Sequence, residues 1–238
     1  MIQHPGPCLC PSSSRRFEAQ LRWEFFQAIG YPYRMNGPPE HRRTRVCLAC
    51  ALPRETKALR PLLENWAVDV ITTGLGKKRT RSSLQQQFSV KIPSFLVFTG
   101  IAGALSPKLS MGQVVFPEEW TLETGESVSV DGDLKGRLQC LDWPIAGSGL
   151  TVRRPVLRSQ TRERLHRQTG ALICDMEAAH ALAVARDFEI PALALKVVSD
   201  TRESSLTEFW RYLDSNLELL QCEVQRLFQD LQIPRRDS

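Results

Sequence analysis

Long apolar runs are missing from this chain. No window approaches the roughly eighteen consecutive apolar residues that a membrane-crossing helix needs, so no membrane span is expected. Histidine is scarce: the four, at positions 4, 41, 166 and 180, show no metal-ligand spacing, and no metal site is expected. His180 reads as a packing residue or one that supports a site from behind. Two nucleotide-binding signatures are also missing. TGLGKK (73–78) and TGIAGAL (99–105) each follow an apparent strand, yet neither forms G-x-G-x-x-G or a Walker loop. Nicotinamide-dependent redox chemistry and P-loop chemistry are set aside on that ground. Charge of one sign is not in large excess, since the formal net charge is only +5. The basic clusters, Lys77-Lys78-Arg79 and Arg42-Arg43, are not interleaved with aromatics as a single-strand-binding surface requires, so no nucleic acid partner is expected.

What is present fits an ordinary globular chain of 238 residues, 42% hydrophobic and 24% charged, long enough for one sizeable α/β domain. Seven cysteines, at 8, 10, 47, 50, 140, 174 and 222, form no regular framework, which fits a reduced, cytoplasmic compartment. Cys47 and Cys50 make a CxxC inside VCLACAL (46–52), but that run reads as a buried strand and not as the exposed helix start of a redox pair. Ser14-Arg15-Arg16-Phe17 has the outline of a twin-arginine signal, yet EAQLRWEFFQ follows where an apolar region is required, so export is rejected.

Three regions are read along the chain. Residues 1–44 form an extension, rich in Pro, Ser and Cys at its start and basic at its end, with one amphipathic helix suggested by Phe17, Leu21, Phe25 and Ala28. Residues 45–232 form the main domain, and 233–238 a tail. Within the domain, VCLACAL, VDVITTG, FLVFTG, QVVFP and ALALKVVSD read as strands; 55–63, 79–88, 176–188 and 203–231 read as helices. Such alternation predicts an α/β fold with ligands at the carboxyl ends of the strands.

Three strand ends carry candidate chemistry. The first runs through LPRETKAL to Glu55. FLVF leads into TGIAGAL, read as a glycine-rich loop in which Gly100 and Gly103 let a ligand approach the backbone. ALALKVV ends at Ser199-Asp200. A fourth feature is CDMEAAHALA (174–183), where Asp175 and Glu177 head a helix of small apolar residues. Buried carboxylates need partners, and two readings remain open: capping of that helix, or ligand binding.

TGIAGALSPKLSMGQVVFPEE and, some sixty residues on, CDMEAAHALAVARDFEIPALALKVVSD together resemble the purine nucleoside phosphorylase and methylthioadenosine/S-adenosylhomocysteine nucleosidase superfamily. The resemblance covers about residues 45–230. It implies a single-domain, three-layer nucleoside phosphorylase-like α/β fold with a central mixed sheet flanked by helices, and a homo-oligomer. It implies cleavage of the N-glycosidic bond of a purine nucleoside, by water or by inorganic phosphate, with no cofactor. By the same resemblance, Met176 and Glu177 bind ribose, Asp200 after Ser199 assists protonation at purine N7, and Glu55 activates water. Thr99, Gly100, Ala102 and Gly103 line the pocket mainly through their backbone.

The chain departs from the family in three places. Residues between Leu63 and Gly74 are fewer, suggesting a more open pocket. SGLTV (148–152) replaces SGD followed by a stacking aromatic, which leaves Val152 at the base. Phe98 stands where family phosphorylases often hold phosphate with Arg, which favours water, although Arg54 and Lys77 leave a phosphate site open. The compact length and the run from Gly149 to Glu177 are similar to hopanoid-associated phosphorylase-like proteins, whose implied substrates are adenosyl compounds with a large 5′ substituent. A nucleoside-binding protein without catalysis is the alternative of another class.

Overall fold

The computed structural model describes residues 46–236 except 142, 146 and 205. The expected N-terminal extension and its amphipathic helix therefore lie outside the described residues. Alternating apolar stretches of the main domain become nine strands and six helices. The first half contains β1 (Val46–Cys50), α1 (Pro53–Asn65), β2 (Val68–Thr72), α2 (Gly76–Val90), β3 (Phe95–Ala104), β4 (Val114–Val115), β5 (Glu119–Leu122) and β6 (Ser127–Ser129). The second contains α3 (Gly132–Cys140), β7 (Ser148–Thr151), α4 (Ser159–Thr169), β8 (Ile173–Asp175), α5 (Ala178–Asp187), β9 (Ala192–Asp200) and α6 (Leu206–Asp230).

All strands join one mixed sheet, ordered β2-β1-β3-β8-β7-β5-β6, with β9 pairing both β3 and β4. The centre is parallel: β1 pairs β2 and β3, and β3 pairs β9 from Leu96 to Gly103, with a register shift between Ala102 and Gly103. β8 meets only the end of β3, antiparallel, at Gly103 and Ala104.

Both faces of the sheet are covered, so the central strands read as unbroken apolar runs. Side chains on β1 alternate between two cores. Val46, Leu48 and Cys50 face one core with Leu59 and Leu62 of α1 and Leu217, Leu220, Val224 and Phe228 of α6. Cys47 and Ala49 face the other, with Leu84 and Phe88 of α2 and the alanine-rich α5. The two cysteines of the CxxC thus lie on opposite faces, and burial pushes the Cys47 thiol up to about 12. Neither is poised for redox exchange. α5 packs closely because its residues from Ala178 to Ala185 are buried and mostly small.

Two expectations change. TGIAGAL is not a loop: β3 continues through it to Ala104, because β9 supplies hydrogen-bonding partners along its length. Short strands β5 to β8, of three or four residues, show no legible period, and they fill stretches that the sequence reading left without strands. At the C-terminal end, Ile233 is buried and Arg235 bridges Trp66, so the chain continues to pack beyond α6. No described helix is long and apolar enough to cross a membrane.

Candidate active site

Because β1, β3 and β9 run parallel, their carboxyl ends gather on one side of the sheet. Glu55 arrives there from the start of α1. Pro53 occupies the first helical turn, and Glu55 reaches back so that its Oε2 accepts from Leu52 N at 2.9 Å. Its Oε1 accepts from Ile101 N on β3 at 3.0 Å. These bonds fix the carboxylate against β3 while leaving lone pairs for a further donor. Burial raises the Glu55 carboxyl above its ordinary range, against the opposing pull of Lys196 and the backbone N–H groups.

Gly100 explains how Glu55 comes so close. Its φ is +150°, and a Cβ there would sit 2.5 Å from Glu55 Oε1. Glycine is required by this approach and not by a turn. Thr99 is fully buried and donates through Oγ1 to Leu195 O at 3.0 Å, tying β3 to β9. Ala102 is also buried, and its carbonyl lies 3.2 Å from Ser199 Oγ.

Ser199 and Asp200 end β9. The serine hydroxyl lies 2.5 Å from Asp200 Oδ1, while Oδ2 pairs with the Arg162 guanidinium of α4. Arg162 is buried, and its Nε donates to Val156 O at 2.8 Å; its Nη1 donates to the Ala104 and Thr201 carbonyls at 3.2 and 3.1 Å. Gly103 leaves room for this pair, since a Cβ would meet Arg162 Nη1 at 3.3 Å and Asp200 Oδ2 at 3.4 Å. Arg162 was not foreseen. It sits in a helix where basic residues recur throughout, so nothing in the sequence marks it.

The two carboxylates of CDMEAAHALA separate into two tasks. Asp175 caps α5, accepting from Ala178 N at 2.9 Å and Glu177 N at 3.3 Å, and it also accepts from Thr151 Oγ1 at 2.8 Å. Lys196 of β9, almost wholly buried, completes its shell at 3.0 Å and stands over the Phe98 ring at 4.4 Å. Glu177 does not cap its own helix. Its Oε1 accepts from Gly76 N, the first residue of α2, at 2.7 Å. Burial and the neighbouring Asp175 raise the Glu177 carboxyl to about 7, with the Gly76 bond and Lys196 opposing. Burial pulls Lys196 down, but Asp175, Glu55 and Glu177 outweigh it and hold its ammonium above the ordinary value. Lys196 was legible as the single charge inside ALALKVV, although its role was not read.

Met176 is half-buried beside the cluster of Leu105, Leu150, Val152 and Cys174, and Val152 N donates to Asp175 O at 2.8 Å. Burial and the charges of Lys77 and Arg81 lower His180. Among the described residues no group of His, Cys, Asp and Glu is arranged to hold a metal. At the end of β3, then, stand Glu55 on Ile101 and Asp200 beside Gly103, and Glu177 bears electrostatically on Glu55.

Comparison with known proteins agrees with this architecture. Residues 143–229 match the family model described as the phosphorylase superfamily. Helicobacter pylori 5′-methylthioadenosine/S-adenosyl homocysteine nucleosidase is similar in structure, with a TM-score of 0.71 at 14% identity, covering 80% of this chain and 100% of that one. Futalosine hydrolase of the same species gives the same four values. The 5′-methylthioadenosine/S-adenosylhomocysteine nucleosidase of Neisseria meningitidis follows with a TM-score of 0.67 at 18% identity, covering 76% and 96%. No curated protein sequence matches the chain. The chain therefore has the nucleoside phosphorylase-like fold, as its motifs imply, and its segment 143–229 matches the phosphorylase superfamily.

Proposed function

We propose that the protein hydrolyses the N-glycosidic bond of a purine nucleoside, with an adenosine derivative carrying a 5′ substituent as substrate. The observation that carries this reading is that Glu55 and Asp200 both lie against the end of β3, with Glu177 close enough to Glu55 to act on it electrostatically. The similar structures that are named as nucleosidases and as a futalosine hydrolase support it.

Each group suits one part of the reaction. Glu55, with a raised pKa and free lone pairs, accepts a proton from water as its oxygen bonds to C1′. The C1′–N9 bond breaks, its electron pair passes to the purine, and Asp200, which has to carry a proton in spite of its pair with Arg162, delivers it to N7. Glu177, ionised, accepts from the ribose hydroxyls and offsets the positive charge that grows on the sugar. Serving ribose requires Glu177 to release or share the Gly76 N–H that it now holds. Water is favoured over phosphate because, among the described residues, the two buried Lys and Arg side chains are occupied, Lys196 by Asp175 and Arg162 by Asp200. Exposed Arg54 is paired with Asp214 as well.

The test is to incubate the protein with 5′-methylthioadenosine, with and without phosphate, and to follow free adenine by chromatography. Adenine release at equal rates in both, with free 5-methylthioribose as the second product, is expected. A phosphate requirement with a sugar 1-phosphate product would replace hydrolysis by phosphorolysis. Binding without release of base from this or other purine nucleosides would leave a binding protein.

A further inference from the structure

A cavity opens beside α4, lined by none of the carboxylates of the candidate site. It is about 540 Å³ in volume and lies between the segment 153–158 and the first turns of α4. Four arginines line it, Arg153, Arg154, Arg158 and Arg164, against one acid, Glu123. Its size is in the range of small-molecule pockets, of roughly 300–1,000 Å³.

The charge of this lining is not neutralised locally. Glu123 directs its carboxylate at the backbone, where Oε2 accepts from Arg153 N at 3.0 Å. Glu163 faces Arg167 and Arg202, and Asp200 faces Arg162. The arginines of α4 and its surroundings that have acidic partners thus lie outside the cavity. Among the described residues, none of the four that line it forms an ion pair. Bringing several like charges around one concavity is unfavourable by itself, and an anion there relieves it. Guanidinium groups match phosphate oxygens two at a time, and weak hydration makes them better suited to that contact than lysine. No lysine takes part in the lining. Pro155, Val156 and an exposed Leu157 add an apolar wall. That combination fits an anionic head joined to an uncharged body.

We propose that this arginine-lined cavity is a binding site for a small organic phosphate carrying at least two phosphate groups. Its lining includes none of the three carboxylates of the candidate site, so the proposal does not depend on the catalytic reading. A ligand there would nonetheless touch the back of that site, since Val156 lines the cavity and its carbonyl holds the Arg162 that pairs with Asp200.

The probes are inorganic pyrophosphate and cytidine diphosphate, neither of which presents a purine to the candidate active site. Binding is measured by titration calorimetry on the full chain in ~0.15 M salt, where exposed long-range attraction is screened beyond about 8 Å. One variant combines Arg154→Gln, Arg158→Gln and Arg164→Gln; a control combines Arg60→Gln, Lys108→Gln and Arg211→Gln, removing as much charge from exposed positions elsewhere. We expect saturable binding of cytidine diphosphate, tighter than that of pyrophosphate. It should weaken at least tenfold in the first variant and less than twofold in the control. All six positions are exposed, and matching thermal transitions would show that the fold is retained; should the triple variant melt early, Arg164→Gln alone is expected to weaken binding at least threefold. Equal weakening in both variants would reduce the cavity to general electrostatics and overturn the proposal. So would absence of saturation at 1 mM ligand, or tighter binding of a single-stranded oligonucleotide that is weakened equally by the first variant.

Discussion

Lys196 and Asp175 form an ion pair of 3.0 Å that is almost wholly shielded from solvent, in the floor of the candidate site. Its stability rests on full partnering: Asp175 also accepts from Thr151, Glu177 N and Ala178 N, and Lys196 is flanked by Glu55 and Glu177. A buried pair of this kind is costly to break from one side, because the abandoned charge has no water to turn to. Lys196→Met is therefore expected to destabilise the fold by about 3–5 kcal/mol in denaturant unfolding. Loss of less than about 1 kcal/mol would mean that the pair is solvated in solution.

Glu177→Gln should keep the fold and lose turnover. The amide oxygen can still accept from Gly76 N, so α2 stays anchored. The negative charge that favours an oxocarbenium-like sugar is gone, and a fall in kcat/KM of at least about 10²-fold is expected. Near wild-type kcat/KM would remove Glu177 from the reaction.

Titration of the same carboxyl gives two opposite pH trends. If ionised Glu177 serves the sugar, kcat/KM should climb with pH through about 7. Stability should move the other way. The carboxyl binds its proton more tightly when folded, about 7 against 4.5, so its contribution is complete below 4.5 and is lost as pH rises through 7. Relative to Glu177→Gln, which does not titrate, the wild type should lose up to about 3 kcal/mol between those limits. Chemical unfolding of both proteins at several pH values checks the sign; a constant difference would contradict it.

Asp200→Asn is expected to slow cleavage of purine nucleosides far more than it weakens their binding, because an amide can hydrogen-bond to N7 without delivering a proton. A nitrophenyl riboside, whose leaving group needs none, separates chemistry from structure. The variant should recover much of its relative rate on that substrate. Equal losses on both would make Asp200 a partner that orders Arg162 and the end of β9.

Two glycines on β3 should respond differently to alanine. At Gly100 the added carbon would collide with Glu55 at 2.5 Å and must adopt a φ of +150°; strain of about 1–3 kcal/mol and displacement of the carboxylate are expected, with kcat/KM down about 10²-fold. At Gly103 the nearest atoms lie at 3.3–3.4 Å, so small shifts of Arg162 and Asp200 accommodate the methyl group at a cost of about 1 kcal/mol or less. Unfolding and steady-state kinetics on the two variants provide the comparison.

The parts legible in the sequence are those in which neighbouring residues determine the outcome. Apolar runs such as VCLACAL and ALALKVV are strands because β-rich, two-face burial needs no more than local composition, and α6 follows from its repeating apolar stripe. Motif order also marked Glu55, Glu177 and Asp200 before any geometry was known, although their chemical roles came from the family resemblance.

Tertiary structure alone decided what each carboxylate touches. Asp175 and Glu177 are two residues apart and chemically alike, yet one meets Lys196 from β9 and the other the N-terminus of α2, 101 positions earlier. TGIAGA extends β3 only because β9 runs alongside, and Arg162 differs from the other arginines of α4 in being buried against Asp200. Such pairings depend on which strands become neighbours. A local pattern sets the face on which a side chain lies, but the group opposite is brought there by another part of the chain.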